Sequence, residues 1–257
     1  MAEVSVLVVI PARFHSTRFP GKPLADLGGF PLVEHVWRRC CKAVDSADVV
    51  IATDDERIAT VAANFGAIVD MTSPDCLTGT DRVAEVASRR HADWFVNVQG
   101  DEPFVDPEAI RTVIKATRTV ASDVAAINAM SAITDEAEFR SATVPKPVTD
   151  LAGRLLYMSR AAIPTDKTLG FHTAYRQVGL YAFRASALAH YRRGARKSPL
   201  EDVEDIEILR LVEAGERIQM LTVKPSGIAI DTPADLIRAK RKLCDPALPV
   251  EPDVEPT

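Results

Sequence analysis

Arg13, His15, Arg18 and Lys22 crowd into RFHSTRFPGK, residues 13–22, between Pro11 and Pro23 and without a single carboxylate. The whole chain carries a net charge of −5, so this basic turn is a local feature and not part of a general basic surface. Positive side chains held by proline and glycine, with backbone N–H groups in the same space, suit a ligand of high negative charge such as a nucleoside triphosphate. The turn is neither the GxxxxGK[ST] loop of NTPases nor the dinucleotide GxGxxG. A solvated basic loop is the plain alternative. The second feature is Asp101 in VNVQGDEP, which offers the hard oxygen that Mg²⁺ needs, although one carboxylate makes a weak site. Its candidate partner is Asp231 in GIAIDTPADL, which also reads as an ordinary turn residue. His15 could accept a proton only if it points inward, and as a lone loop histidine it reads as incidental. No Ser-His-Asp or Cys-His arrangement suggests a covalent intermediate.

The elements around these residues decide whether they can meet. VLVVI reads as a strand, PLVEHVWRRCCKA as a helix, DVVIAT as a strand and DDERIATVAANFG as a helix; AIVDM, TGTDRVAEVASRR, WFVNV and DPEAIRTVIKAT continue the alternation. Thr78 and Asp81 have the spacing of a capping box, and Asp106 with Pro107 reads as an N-cap followed by the first helical position. Strand and helix alternate four times, which predicts an α/β fold with a mixed, mostly parallel sheet and helices on both faces. The ligand crevice then lies at the carboxyl ends of the strands, where both the basic turn and QGDEP fall.

After about residue 122 the pattern changes to the strands DVAAINAMSAI, ATVPKPV, RLLYM and YRQVGLYAF, with helical segments in SALAHYRR, LEDVEDIEILRLVEAG and TPADLIRAKRKL and a late strand in IQMLTV. Pro145 and Pro147 put ATVPKPV at an edge or in an exposed hairpin. The expectation is one domain over residues 1–245, with a nucleotide-binding half at 1–121, a second half at 122–245 and a loose tail at 246–257.

With 257 residues, 47% of them hydrophobic, the chain can bury a substantial core. The acidic balance argues against nucleic acid as a partner. No run of about 18 apolar residues and no signal-peptide pattern is present, so a cytoplasmic protein without a membrane partner is expected. Cys40, Cys41, Cys76 and Cys244 form no metal-spaced set and are expected to be reduced.

VVIPARFHSTRFPGKPL, TGTDR, VNVQGDEP, LYMSRAAIP, VGLYAF, SPLEDVEDIEILR and IDTPADL, in that order, resemble the signature blocks of the 3-deoxy-manno-octulosonate (Kdo) cytidylyltransferases, also called CMP-Kdo synthetases. The resemblance spans roughly residues 4–243. It implies a Rossmann-like nucleotide-diphospho-sugar transferase fold, CTP as substrate, Mg²⁺ as cofactor, an acidic sugar as acceptor and a cytoplasmic homodimer serving lipopolysaccharide synthesis. By resemblance, Arg13 and Lys22 take the triphosphate with Arg18 nearby, and Ala12, Thr78, Gly79, Thr80 and Arg82 surround cytosine and ribose. Asp101 and Asp231 hold Mg²⁺. Gln99, Arg160, Gln177, Tyr181, Glu201 and Glu204 surround the sugar, with Arg160 as a bidentate clamp on its carboxylate. The plain reading of Arg160 is a salt bridge to a glutamate of LEDVEDIEILR.

The sequence departs from the family pattern in its second half. Gln177 and Asp202 stand where histidine is usual, and RSATVPKPV lacks the asparagines of the edge-strand block. These departures imply retained nucleotide chemistry with an altered acceptor pocket, for Kdo or a related ulosonic acid. A phosphonate or other small acid as acceptor, and a non-catalytic nucleotide-binding regulator, are the alternatives.

Overall fold

The computed structural model describes residues 4–193, 196–225 and 227–244. The tail expected at 246–257 lies outside the described residues. In chain order the strands are β1 (Val6–Ala12), β2 (Asp26–Leu27), β3 (Phe30–Pro31), β4 (Val49–Thr53), β5 (Ile68–Met71), β6 (Trp94–Val98), β7 (Val124–Ala132), β8 (Lys146–Thr149), β9 (Leu155–Ser159), β10 (Tyr175–Arg184) and β11 (Arg217–Thr222). The helices are α1 (Leu32–Cys41), α2 (Glu56–Asn64), α3 (Gly79–Ala87), α4 (Pro107–Thr117), α5 (Glu136–Arg140), α6 (Ala185–Arg193), α7 (Pro199–Glu204), α8 (Leu209–Glu213) and α9 (Pro233–Cys244).

Seven strands form one sheet in the order β11-β7-β10-β6-β1-β4-β5. Strand β1 pairs in parallel with β4 and β6, β4 with β5 and β7 with β11, and β10 runs antiparallel between β6 and β7. Both halves of the chain therefore share one sheet. Alternation along β1 sends Val8 and Ile10 toward α1, α2 and α4, and Leu7 and Val9 toward α3, α6 and α8. Ile10, Ile51, Phe95 and Phe183 are fully buried. Each such side chain contributes about 1.5–3 kcal/mol. The expected helix starts are present: Thr78 and Asp81 form a capping box, and Asp106 caps α4 with Pro107 in its first turn.

Three features depart from the sequence reading. A short hairpin, β2–β3, follows the basic loop. The segment LEDVEDIEILRLVEAG is not one helix, because Asp205 takes a left-handed conformation at φ 50° and separates α7 from α8. Strand β10 enters the main sheet with a bulge between Gln177 and Tyr181. Asn128 of β7 accommodates it, donating from Nδ2 to Val178 O and Leu180 O at 3.0 Å each. The proline-flanked segment forms the β8–β9 hairpin, a separate two-stranded sheet.

Candidate active site

The basic loop leaves β1 at its carboxyl end and folds back when Gly21 donates its N–H to Phe14 O at 2.9 Å. That turn starts a short 3-10 segment, Lys22–Leu24, and aims Lys22 inward. Lys22 Nζ lies 3.0 Å from Asp101 Oδ2 and 3.2 Å from Asp231 Oδ1. Burial pulls the Lys22 pKa down, but Asp101 and Asp231 more than offset it and leave the ammonium above its ordinary value. Arg18 stands 3.5 Å from Asp231 at the rim. Arg13, His15, Ser16, Thr17 and Pro20 line a cavity of about 360 Å³.

Both carboxylates are placed by backbone contacts. A Cβ on Gly100 would lie 2.6 Å from Pro11 O, so only glycine lets the QGDEP turn press against the end of β1. The coil before α9 then docks on this turn, with Ile230 N–H donating to Asp101 O at 2.9 Å. Thr232 and Asp235 cap α9 reciprocally, Asp235 N–H to Thr232 Oγ1 at 3.2 Å and Thr232 N–H to Asp235 Oδ2 at 2.7 Å. Asp231 is thus left free to face Lys22. Among the described residues no group of three or more His, Cys, Asp or Glu forms a metal cage. Two carboxylates on one cation fit a metal that keeps waters and substrate phosphates as its remaining ligands, the habit of Mg²⁺.

Beside this pair, the N-terminus of α3 meets a residue that sequence reasoning did not single out. Glu207 accepts from Gly79 N–H at 3.1 Å, Thr80 N–H at 2.9 Å, the Thr80 hydroxyl, and Gln99 Nε2 at 3.5 Å. Its carboxylate complements the positive end of the helix, while burial pushes its pKa up. Gly79 is tightly placed but less constrained than Gly100: a Cβ there would lie 2.8 Å from Gln99 Oε1, the end of a side chain that can shift, and 3.2 Å from Pro11 Cγ. Buried Tyr181 belongs to the same cluster; its hydroxyl is pushed well above its ordinary pKa by burial, then by Glu207 and Asp101. Ala12, Thr78, Gly79, Thr80, Gln99, Tyr181, Asp101 and Glu207 therefore converge at one end of the sheet. Next to Asp101, buried Glu102 accepts from Gly179 N–H at 3.2 Å, and burial, then Asp101, push its pKa to about 7.

Five residues expected at the ligands, Arg82, Glu201, Arg160, Glu204 and Gln177, make contacts within the protein. Arg82 is buried, with Nη2 on Asp54 at 3.1 Å and Nη1 on Thr72 Oγ1, so it braces the ends of β4 and β5. Glu201 is fully buried, its oxygens taken by Arg210 at 2.6 and 2.8 Å and by Ser198 N–H at 3.1 Å. It has no free face for a sugar hydroxyl and anchors α7 instead. The Arg160 guanidinium is neither a free fork nor hydrogen-bonded to a glutamate side chain. It donates to four backbone carbonyls, those of Glu204 at 2.5 Å, Asp205 at 3.0 Å, Ala142 at 3.1 Å and Thr143 at 3.3 Å. Glu204 in turn accepts from Ser159 Oγ at 2.6 Å, Arg160 N–H at 2.9 Å and Tyr157 Oη at 3.1 Å. Gln177 donates from Nε2 to Asn128 Oδ1 at 3.0 Å, at the edge of the bulge.

The cytidylyltransferase family pattern matches residues 7–218. The chain is 44% identical to the 3-deoxy-manno-octulosonate cytidylyltransferase of Solibacter usitatus, over 92% of this chain and 93% of that protein. It belongs to this family. The Geobacter metallireducens enzyme of the same name is 42% identical, over 93% of this chain and 98% of its own. The fold matches that of a CMP:2-keto-3-deoxy-manno-octonic acid synthetase solved in complex with CTP, with a TM-score of 0.87 and 34% identity over 94% of this chain and 99% of that one. The Rossmann-like α/β architecture expected for a Kdo cytidylyltransferase is thus the architecture observed. Among the described residues no helix is long and apolar enough to cross a membrane.

Proposed function

We propose that this protein transfers CMP from CTP to the anomeric hydroxyl of Kdo, releasing pyrophosphate. The observation that carries the reading is Lys22 Nζ held between Asp101 and Asp231 at the end of the sheet, beside the Gln99–Tyr181–Glu207 cluster. Arg13, Arg18 and Lys22 meet the triphosphate, while Ala12 and the Thr78–Thr80 turn border the nucleoside. Asp101 and Asp231 would hold Mg²⁺, which when bound would supply positive charge to neutralise the phosphates. Gln99, Tyr181, Gln177, Glu204 and Glu207 border the sugar. Arg160 acts indirectly, by fixing the carbonyls of residues 142–143 and 204–205.

In this arrangement the sugar oxygen forms a bond to the α-phosphorus as the bond to the leaving pyrophosphate oxygen breaks. Lys22 and Arg13 stabilise charge on the departing phosphates, and Gln99 and Glu207 hold the acceptor in line. No residue need become covalently attached. The test is CMP-Kdo formation from CTP and Kdo, with pyrophosphate released in equal amount. Pyrophosphate release with another acidic acceptor and none with Kdo would overturn the assignment.

The second half also supports a homodimer. Leu151 and Leu156 of the β8–β9 hairpin and Leu200 and Val203 of α7 are exposed apolar side chains. Such a set suits a second copy of the chain. Light scattering should give twice the 28.0 kDa chain mass, and a single-chain mass at micromolar concentration would rule the dimer out.

A further inference from the structure

Lys22 occupies the position that a metal between Asp101 and Asp231 would need. Its Nζ is 3.0 Å from one carboxylate and 3.2 Å from the other, and its side chain is 16% exposed against 27% and 41% for theirs. The ammonium already neutralises part of the paired negative charge. A divalent cation on the same oxygens would stand close to that ammonium in a partly buried site, where repulsion between like charges is weakly screened. Two carboxylates without a third protein ligand give Mg²⁺ little to offset this. Arg18, 3.5 Å from Asp231, adds a second positive charge on the same side.

We infer that Lys22 is a resident counter-ion that keeps the carboxylate pair closed to divalent metal until a nucleoside triphosphate arrives. The phosphates supply what Lys22 must exchange for: when they enter, the ammonium swings from Asp101 and Asp231 to phosphate oxygens, and the metal takes the vacated carboxylates together with the same phosphates. The backbone need not move. Gly21 N–H on Phe14 O and Ala25 N–H on Lys22 O hold the turn, and the flexible four-carbon stem of lysine provides the reach. Metal and nucleotide then bind as one coupled unit, and by linkage each raises the affinity of the other by the same factor. The inference rests on the metal and triphosphate roles proposed above.

The experiment is a titration with Mn²⁺, read by the loss of the free-ion electron paramagnetic resonance signal, without acceptor and with or without CTP. The proteins are wild type, Lys22→Met, Lys22→Gln and the double variant Lys22→Met/Asp101→Asn, each verified as folded by circular dichroism. Without CTP, both single variants should bind Mn²⁺ at least about tenfold more tightly than wild type, within the usual span of coupling between sites. The double variant should lose that gain. In wild type CTP should restore tight binding, and Mn²⁺ should tighten CTP binding by a matching factor in calorimetry. Equal Mn²⁺ affinity of wild type and both Lys22 variants without CTP, with CTP still recruiting the metal, would overturn the exchange and leave the metal site standing. Absence of Mn²⁺ binding in every protein, with CTP present, would remove the metal reading and the exchange together.

Discussion

Lys22 and Lys146 are both shielded lysines, and the fold surrounds them in opposite ways. Lys22 has two carboxylates, each still partly open to solvent, and its pKa is raised because they outweigh its burial. Among the described residues Lys146 has no carboxylate within ion-pair distance. It is fully buried and donates to three backbone carbonyls, Ser141 O at 2.8 Å and Val144 O and Arg160 O at 2.6 Å each. Burial, and then the Arg160 guanidinium, lower its pKa to about 8. Three ammonium hydrogens meet three carbonyls, so nothing remains for a ligand. The nucleotide side keeps its charges exchangeable, whereas the root of the β8–β9 hairpin spends its charges on ordering backbone. Arg160 follows the second pattern, whereas Arg210 holds two carboxylates in a sealed site.

The largest effect expected from this contrast is on stability. Arg210 is buried and bonds both Glu201, at 2.6 Å, and Asp81, at 2.6 Å. Arg210→Met strands the buried Glu201 and the part-buried Asp81 and should cost about 3–5 kcal/mol in denaturant unfolding. A loss below about 1 kcal/mol, the level of a surface pair, would erase the distinction. On the open side, Asp101→Asn and Asp231→Asn should leave the unfolding midpoint within a few degrees of wild type yet lower kcat at least about 100-fold, the scale for losing a major electrostatic contributor. Turnover near wild type at saturating CTP and Mg²⁺ would show that the pair is not catalytic.

How far this contrast was legible from sequence follows from the range of the interactions that make it. The capping of α3 and α4 and the strands of the first half are set by neighbours in sequence, and Thr78, Asp81, Asp106 and Pro107 announced them. Asp101 and Asp231 were legible as strand-end carboxylates. Their meeting at Lys22 depends on Ile230 reaching Asp101 across the fold. Glu207 stayed hidden because Asp205 breaks the helix before it, and no helical phase can be carried across a left-handed residue. Glu201 and Glu204, both expected at the sugar, share α7, yet one is sealed against Arg210 and the other holds Arg160 N–H. The prolines around Lys146 gave the hairpin, while its three carbonyl partners come from loop geometry that no spacing encodes.

A smaller effect separates the two lysines by pH. The folded-state pKa of Lys146 is lowered from 10.5 to about 8, so between those values the unfolded chain binds more protons at this residue than the folded one. Stability contributed by Lys146 therefore rises with pH through that window, and its charged form is a burden at lower pH. Glu204 and Glu138 partly counter this by favouring the charge, and Arg160 reinforces it. Lys146→Met should flatten the slope of unfolding free energy against pH above about pH 8, relative to wild type. Parallel slopes would mean that the carbonyl cage holds the proton as well as carboxylates do.

The smallest effect is expected at Gln177, where the sequence departs from its family. Asn128 spends its Nδ2 on Val178 O and Leu180 O, which leaves Oδ1 facing Gln177 and in need of a donor. Gln177 supplies one from Nε2 and turns its carbonyl oxygen elsewhere. A neutral histidine can also donate one hydrogen bond and keep one acceptor, so the two side chains are alike in what they offer Asn128. Gln177→His should then change kcat/KM for Kdo by less than about tenfold, because the buried amide stays satisfied. Gln177→Leu is the informative partner, since it leaves Oδ1 of Asn128 without a donor inside the bulge. That variant should lose about 1–3 kcal/mol, divided between stability and acceptor binding, with the CTP KM unchanged. A gain of more than about tenfold for histidine with Kdo would show that Gln177 tunes the choice of acceptor, since that exceeds what an equivalent hydrogen bond at Asn128 can supply.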